Sequence, residues 1–204
     1  MTENTTHNMG LPETIHGTTL TLRPLRLSDA ARFSEYANDM EVARMTGTIP
    51  CHFPLLAAEF RLMYMASQTR RGLAYNYAIT KCADDELIGI ASLFRASQDD
   101  IFELGYSIAK SAWGHGYATT SAQMLIKAAN AHLGITRLKA GVFADNPASL
   151  RVLQKLGFEQ QGPIDMFFSM ARLKKAPSIN LVLKLTDKLQ TSGTASATVM
   201  RIVK

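Results

Sequence analysis

Cysteine is scarce in this chain. Cys51 and Cys82 stand in unrelated contexts among 204 residues, with no CxxC spacing. That excludes a disulfide framework and a paired-thiol redox motif, and reads as two reduced thiols in a cytosolic protein. The five histidines are scattered without a metal-ligand spacing, so no metal site is expected. No run reaches the roughly 18 consecutive apolar residues of a membrane span. Residues 1–10 are polar and lack the basic-then-apolar order of a secretory signal. The expectation is a cytoplasmic protein that does not enter a membrane. Clustered basic charge is also missing: net charge is +5, yet only Arg70-Arg71 and Lys174-Lys175 are adjacent basic pairs. Direct nucleic-acid binding is therefore not expected, and the positive excess suits a ligand carrying several phosphates.

Three common phosphate loops are absent as well. Gly114-x-Gly116 has no further glycine three residues on, which excludes the dinucleotide fingerprint. No Gly-Lys-Ser/Thr follows it, which excludes a P-loop. The glycines open a helix rather than precede a strand, unlike a kinase glycine loop. What is present is a strand-like run at 101–109, then Trp113-Gly114-His115-Gly116-Tyr117-Ala118-Thr119, then a helix-like run at 117–133. Ala118, Ala122, Leu125, Ile126, Ala129 and Leu133 give that run one apolar face. Two missing Cβ atoms let backbone approach a ligand, and a helix start adds unpaired amides, so the junction suits a pyrophosphate. Taken alone, Gly-x-Gly equally fits an ordinary glycine turn.

A second informative stretch begins with a strand at 137–143, with Leu138, Ala140 and Val142 on one face and Arg137, Lys139 and Gly141 on the other. Asp145-Asn146-Pro147 stops it. Pro147 suits a first helical turn that also contains Ser149, and Leu150, Leu153 and Leu156 line a helix closed by Gly157 in the left-handed conformation. Asn146 as turn punctuation and Ser149 as a weak helix former remain open readings at this point.

The rest of the chain reads as a strand at 18–23, a helix from Ser28 as N-cap to about Asn38, and a helix from Pro54 through Arg70. The second helix should bury Leu55, Ala58, Leu62 and Met65, with Met63, Tyr64 and Met65 close enough together to turn apolar surface toward a groove. Strands at 73–82, 86–95 and 101–109 form an antiparallel meander, and a parallel step through the long helix leads to 137–143. A strand near Phe158 and a last one at 179–185 complete the pattern. The apolar share, 47%, supports one domain with its own core. The expected organisation is a flexible segment at 1–15, a domain at 16–185 and a loosely held Ser/Thr/Ala-rich tail at 186–204.

The joint pattern resembles the GNAT superfamily of N-acetyltransferases, in particular the branch of bacterial ribosomal-protein N-terminal alanine and serine acetyltransferases. It rests on Gly114-x-Gly116, Asn146-x-x-Ser149 and Lys155-Leu156-Gly157-Phe158, with Leu22-Arg23-Pro24-Leu25, Leu87-Ile88-Gly89 and Glu103-Leu104-Gly105-Tyr106 in support. The resemblance implies an α/β (α+β) domain with a central mixed, mostly antiparallel sheet of about seven strands, helices on both faces, and a splayed parallel pair forming the coenzyme cleft. It implies acetyl-coenzyme A as co-substrate, with pantetheine amides pairing to backbone at Ser107, Ile108 and Ala109. The pyrophosphate would lie on Trp113, Gly114, His115, Gly116, Tyr117, Ala118 and Thr119, and Asn146 would contact the pantetheine arm. Ser149 matches the position that protonates the departing thiolate; Val152 stands where many members carry a tyrosine. Ser111 replaces a frequent Arg or Gln.

Glu103 is the candidate general base. It is the acid of the strand before the loop, flanked by Phe102 and Leu104, where desolvation would raise its pKa. The competing reading is a solvent-facing glutamate or one paired to a basic neighbour. An α-amine, with a pKa near 7.7–8.0, is partly neutral at physiological pH, whereas a lysine near 10.4 is almost wholly charged. One modest base therefore suits an α-amine, which points to a protein N-terminus, of ribosomal-protein type, as acceptor. A small amine (amino acid, polyamine or antibiotic) and a non-catalytic acyl-coenzyme A module stay open as alternatives. The protein is expected as a monomer or homodimer.

Overall fold

The computed structural model describes residues 10–95 and 101–185; the expectations for 1–9 and 186–204 lie outside the described residues. In chain order the elements are β1 (Ile15–His16), β2 (Leu20–Pro24), α1 (Ala30–Ala37), α2 (Met40–Ala43), α3 (Leu55–Arg70), β3 (Ala74–Lys81), β4 (Leu87–Arg95), β5 (Phe102–Ile108), α4 (Tyr117–Leu133), β6 (Arg137–Phe143), α5 (Pro147–Lys155), β7 (Glu159–Gln160), β8 (Asp165–Ser169) and β9 (Lys174–Lys184). They form one nine-stranded sheet in the order β1-β2-β3-β4-β5-β6-β9-β7, with β8 also paired to β9. Every pair is antiparallel except β5–β6, whose crossover is α4. That parallel pair holds only at Phe102↔Leu138 and Glu103↔Lys139. Beyond those positions the strands part.

The pleat sorts side chains onto two cores. Phe102, Leu104 and Ile108 of β5 pack with Leu125 of α4 and Leu153 of α5 on one face. Ala109 packs with Phe33 of α1 and Leu62 of α3 on the other. Period-two alternation along β5 therefore decides which half of any central site a side chain can reach. Leu138, Ala140 and Val142 are buried as their spacing predicts, and Gly157 closes α5 at φ +88°. Among the described residues no helix is long and apolar enough to cross a membrane.

Several details differ from the sequence reading. Ser28 is not the cap of α1: a 3-10 turn at Leu27–Asp29 precedes the helix, and the Asp29 carboxylate accepts from the Arg26 amide at 2.8 Å. Asp29 also accepts from both terminal nitrogens of Arg23, at 2.9 and 2.8 Å, while Arg23 Nε donates to Asp85 at 2.7 Å. Both Arg23 and Asp29 are buried. Removing one partner of such a pair costs about 3–5 kcal/mol, which gives the Leu22-Arg23-Pro24-Leu25 segment a structural reason. Leu55, expected in the buried stripe of α3, lies in its first turn and is exposed; Ala58, Leu62 and Met65 are the buried positions. Packing also begins ahead of residue 16: Leu11 is buried, and the Pro12 carbonyl accepts from the Tyr77 hydroxyl at 2.6 Å. The sheet exceeds the expected seven strands through short β1 and the β8–β9 hairpin, whose Met166, Phe167 and Phe168 are exposed and give no alternation to read.

Candidate active site

Where β5 and β6 part, a cleft of about 1310 Å³ opens through the sheet. At one end lies the glycine turn. Gly114 and Gly116 sit at φ +80° and +76°, a left-handed conformation that suits glycine, and a Cβ built on either would meet nothing within 4 Å. Gly116 is the N-cap of α4 and provides no side-chain cap, so the first-turn amides of Tyr117, Ala118 and Thr119, which all line the cleft, have no partner within the helix. Open space above glycine backbone and uncapped amides fit a pyrophosphate. The Trp113 indole Nε1 donates to the Ile108 carbonyl at 2.9 Å and ties the turn to the end of β5. Arg151 and Lys155 of α5 also line the cleft. His115 does not: its exposed ring stacks on Tyr117 and its Nδ1 pairs with the Trp113 carbonyl, so only its backbone belongs to the turn.

The strand edge corrects the expected set of backbone contacts. The Ala109 amide donates to Ile88 at 2.8 Å and its carbonyl accepts from Ala112 at 2.9 Å. Ala109 is therefore spent and buried, and cannot pair with a ligand. By antiparallel alternation, Ser107 also directs its backbone groups toward β4, where it opposes Ile90. The amides of Ile108 and of Tyr106 face the parted edge instead. Gly89, opposite Ile108, is required at this end of the ladder, since a Cβ there would meet the Ser107 carbonyl oxygen at 2.3 Å.

On the α4–α5 side, Asn146 caps α5: its side-chain oxygen accepts from the Ser149 amide at 3.1 Å. Its Nδ2 has no protein partner among the described residues, and Asn146 lines the cleft. Ser149 Oγ lies 2.8 Å from the Tyr106 hydroxyl. Burial pushes the Tyr106 phenol up to about 12, against a lowering by its hydrogen bond to Ser149. Tyr106 thus brings a phenol from β5 to the first turn of α5, where Val152 offers none. The sequence reading quoted Tyr106 but gave it no role. The available signal was one polar-tipped residue within the apolar stripe Phe102, Leu104, Ile108, on the side of the strand opposite Glu103.

Glu103 belongs to the other face, at the last paired position before the splay. Its carboxylate lies over β6, where a Cβ on Gly141 would come within 3.7 Å of Oε1. Burial holds its pKa above the ordinary carboxylate value, and Lys139 opposes that shift. Glu103 also lines a second cavity of about 340 Å³ with Lys139, Gln161 and Asn180. Ser107 completes this face, its hydroxyl 3.2 Å from that of Tyr36, whose phenol is raised by burial. The wall opposite is α3, where Arg61, Tyr64 and Gln68 share one stripe. Met63, expected near the groove, is exposed outside it. The far end is closed by Phe167 of the β8–β9 hairpin, seated so close to Gly47 that a Cβ there would meet its ring at 2.5 Å. Met170 N to the Gly47 carbonyl, 3.1 Å, and Ser169 Oγ to the Thr46 carbonyl, 3.1 Å, fasten this hairpin. Among the described residues no group of His, Cys, Asp and Glu could hold a metal ion.

Fold and cleft are those of a mixed-sheet protein whose parallel pair parts around a cleft suited to an extended, phosphate-bearing ligand. The family model of the acetyltransferase (GNAT) domain matches residues 19–159. The uncharacterized N-acetyltransferase p20 of Bacillus licheniformis is 28% identical over 151 residues, 74% of this chain and 84% of its own length. Among solved structures, the ribosomal-protein-S5-alanine acetyltransferase of Vibrio fischeri has a TM-score of 0.72 at 19% identity, covering 87% of this chain and 99% of that one. Mycobacterium smegmatis RimJ, solved in complex with CoA-disulfide, also reaches 0.72 at 19% identity, covering 89% of each chain. At that identity the structural likeness is one of fold. The chain belongs to the GNAT acetyltransferase family. It is an acyltransferase, with acetyl-coenzyme A as the acyl donor.

Proposed function

We propose that this chain acetylates the N-terminal α-amine of a protein, of ribosomal-protein type, in the cytoplasm. The observation that carries the reading is the division of labour across β5: a half-buried carboxyl, Glu103, on one face and the hydroxyl pair Tyr106–Ser149 on the other. Acetyl-coenzyme A supplies the thioester. Glu103 accepts a proton from the incoming ammonium, and the smaller polar cavity beside it gives that proton a way to solvent. The amides of Tyr106 and Ile108, facing the parted edge, offer donors for developing negative charge. Ser149 Oγ, oriented by the Tyr106 phenol and by the Asn146 cap beneath its amide, holds a proton for the departing sulfur.

Support for an α-amine comes from the acid count of the acceptor half. Besides Glu103, the cleft-lining acids are Glu41, paired with Lys110, and Asp145, paired with Arg172 and Arg44. A polyamine or aminoglycoside asks for more free carboxylates than these; an α-amine, already partly neutral, asks for one base. The ribosomal-protein acetyltransferases among the fold neighbours agree with that direction.

The test is an acceptor screen that follows thiol release from acetyl-coenzyme A. Peptides beginning with Ala, Ser or Met should outrun amino acids, polyamines and aminoglycosides in kcat/KM by at least about tenfold, a difference of about 1.4 kcal/mol. A small amine that outruns every peptide would overturn the acceptor.

A further inference from the structure

The α3 wall carries a charge that its surroundings leave unbalanced. Arg61 projects into the cleft from the stripe it shares with Tyr64 and Gln68. Its polar contact is the Thr48 hydroxyl at 2.9 Å, and no carboxylate pairs with it among the described residues. Burial draws its pKa below the ordinary arginine value, with Tyr64 opposing the shift. A half-buried guanidinium that faces the cleft without a counter-ion has donors to spare for a carboxylate arriving from outside.

The acids of the same cleft are engaged elsewhere. Asp145 is bridged by Arg172 at 2.9 Å and Arg44 at 3.1 Å, and Glu41 is held by Lys110. Glu103 stands opposite Lys139 on the neighbouring strand and is the proton acceptor of the reaction. A cationic acceptor group near α3 would therefore meet repulsion from Arg61.

We propose that the α3 wall is a carboxylate-binding subsite in which Arg61 selects an acceptor amine that carries an acidic group close to the amine. One planar guanidinium fork matches one carboxylate, and Gln68 and Tyr64 beside it offer further donors. In a peptide the acidic group is an Asp or Glu just behind the N-terminal residue; in a free amino acid it is the α-carboxylate. The inference rests on the acetyl-transfer reading above, but not on the acceptor being a protein.

The test uses acceptor pairs that differ only in carboxylate against amide. One pair is Ser-Glu-Ala-Ala amide and Ser-Gln-Ala-Ala amide; the other is glycine and glycinamide. Ser-Lys-Ala-Ala amide is the cationic control. The wild-type enzyme should favour the carboxylate member by about tenfold in kcat/KM, chiefly through KM, the range expected of a charge-assisted contact. Arg61→Gln should bring that ratio to about one, and Arg61→Glu should reverse the order of the Glu and Lys peptides. Coenzyme A binding by calorimetry checks that both variants are folded. Equal rates on carboxylate and amide in the wild type, or a preference that survives Arg61→Gln, overturns the subsite. A carboxylate preference seen with glycine but with no peptide turnover keeps the subsite and removes the protein acceptor.

Discussion

The half of the cleft proposed for the coenzyme is made from one short stretch of backbone at 114–119 and one helical turn after Asn146. The acceptor half draws side chains from Arg61 on α3, Glu103 on β5, Gly141 on β6 and Phe167 on β8, together with the loop that holds Gly47. In the proposed reading the first half would recognise groups that every acyl carrier of this kind shares, for which backbone amides and two left-handed glycines suffice. The second half would tell one amine from another with side chains gathered from distant segments. The proposed chemistry is concentrated at the seam, where Glu103 and the Tyr106–Ser149 pair approach from opposite faces of one strand.

The sharpest way to test that seam is Glu103→Gln, which keeps shape and hydrogen bonding but cannot take a proton. Turnover at neutral pH should fall by about 10²- to 10⁴-fold. Because burial raises the Glu103 pKa, its basic form gathers at higher pH than in an exposed glutamate. The wild-type rate should therefore fall on its acid side above the ordinary glutamate value of about 4.3. The variant should lack that limb and recover from about pH 8 with an α-amine acceptor, as the amine arrives neutral. Parallel pH profiles for the two enzymes would make Glu103 structural.

Gly116→Val addresses the backbone half. It forces a β-branched residue into the left-handed region and points a side chain into open space above the turn. Coenzyme A affinity should weaken by more than about tenfold, or 1.4 kcal/mol, while discrimination between acceptors stays as in the wild type. A folded variant with unchanged calorimetric affinity would take the turn out of the coenzyme site.

The smallest effect is expected at the hydroxyl pair. Tyr106→Phe and Ser149→Ala should each lower kcat by about tenfold with less change in coenzyme affinity, because the contact matters as the sulfur leaves. The double variant should lose little more than either single one, since the two hydroxyls act as a unit 2.8 Å apart. Fully additive losses would mean that the two hydroxyls act independently, and an unchanged kcat in Tyr106→Phe would leave the tyrosine a packing residue.

The contrast between the halves also explains what the sequence made legible. Local backbone devices have local signatures: Gly114-x-Gly116 before an apolar helix, and Asn146-Pro147 before a helix closed by Gly157. The three-stranded meander and the α4 crossover could be read from period and turns alone. The β8–β9 hairpin could not, because Phe167 and Phe168 are exposed and the strand exists by pairing with β9 rather than by having a buried face. Ala109 looked like a ligand contact because adjacency along a strand does not say which edge an amide faces; the bond to Ile88 decides that. Tyr106 and Arg61 escaped notice for a related reason. Each has its proposed role only through neighbours far away in sequence, Ser149 for one and the whole cleft for the other.

The early parting of β5 from β6 places two unpaired strand edges inside a sheet, where most proteins keep such edges at the rim. A pantetheine chain, with its two amides, can supply the missing rungs there much as an added strand would. Coenzyme bound in that way would join the two halves of the sheet into one ladder, and binding free energy would become folding free energy, about 2.7 kcal/mol at a hundredfold excess over Kd. The amides of Tyr106 and Ile108 would change from freely exchanging with solvent protons to protected. The coenzyme would in that sense be a removable strand, and the sheet would be most cooperative only while a pantetheine arm lies between β5 and β6.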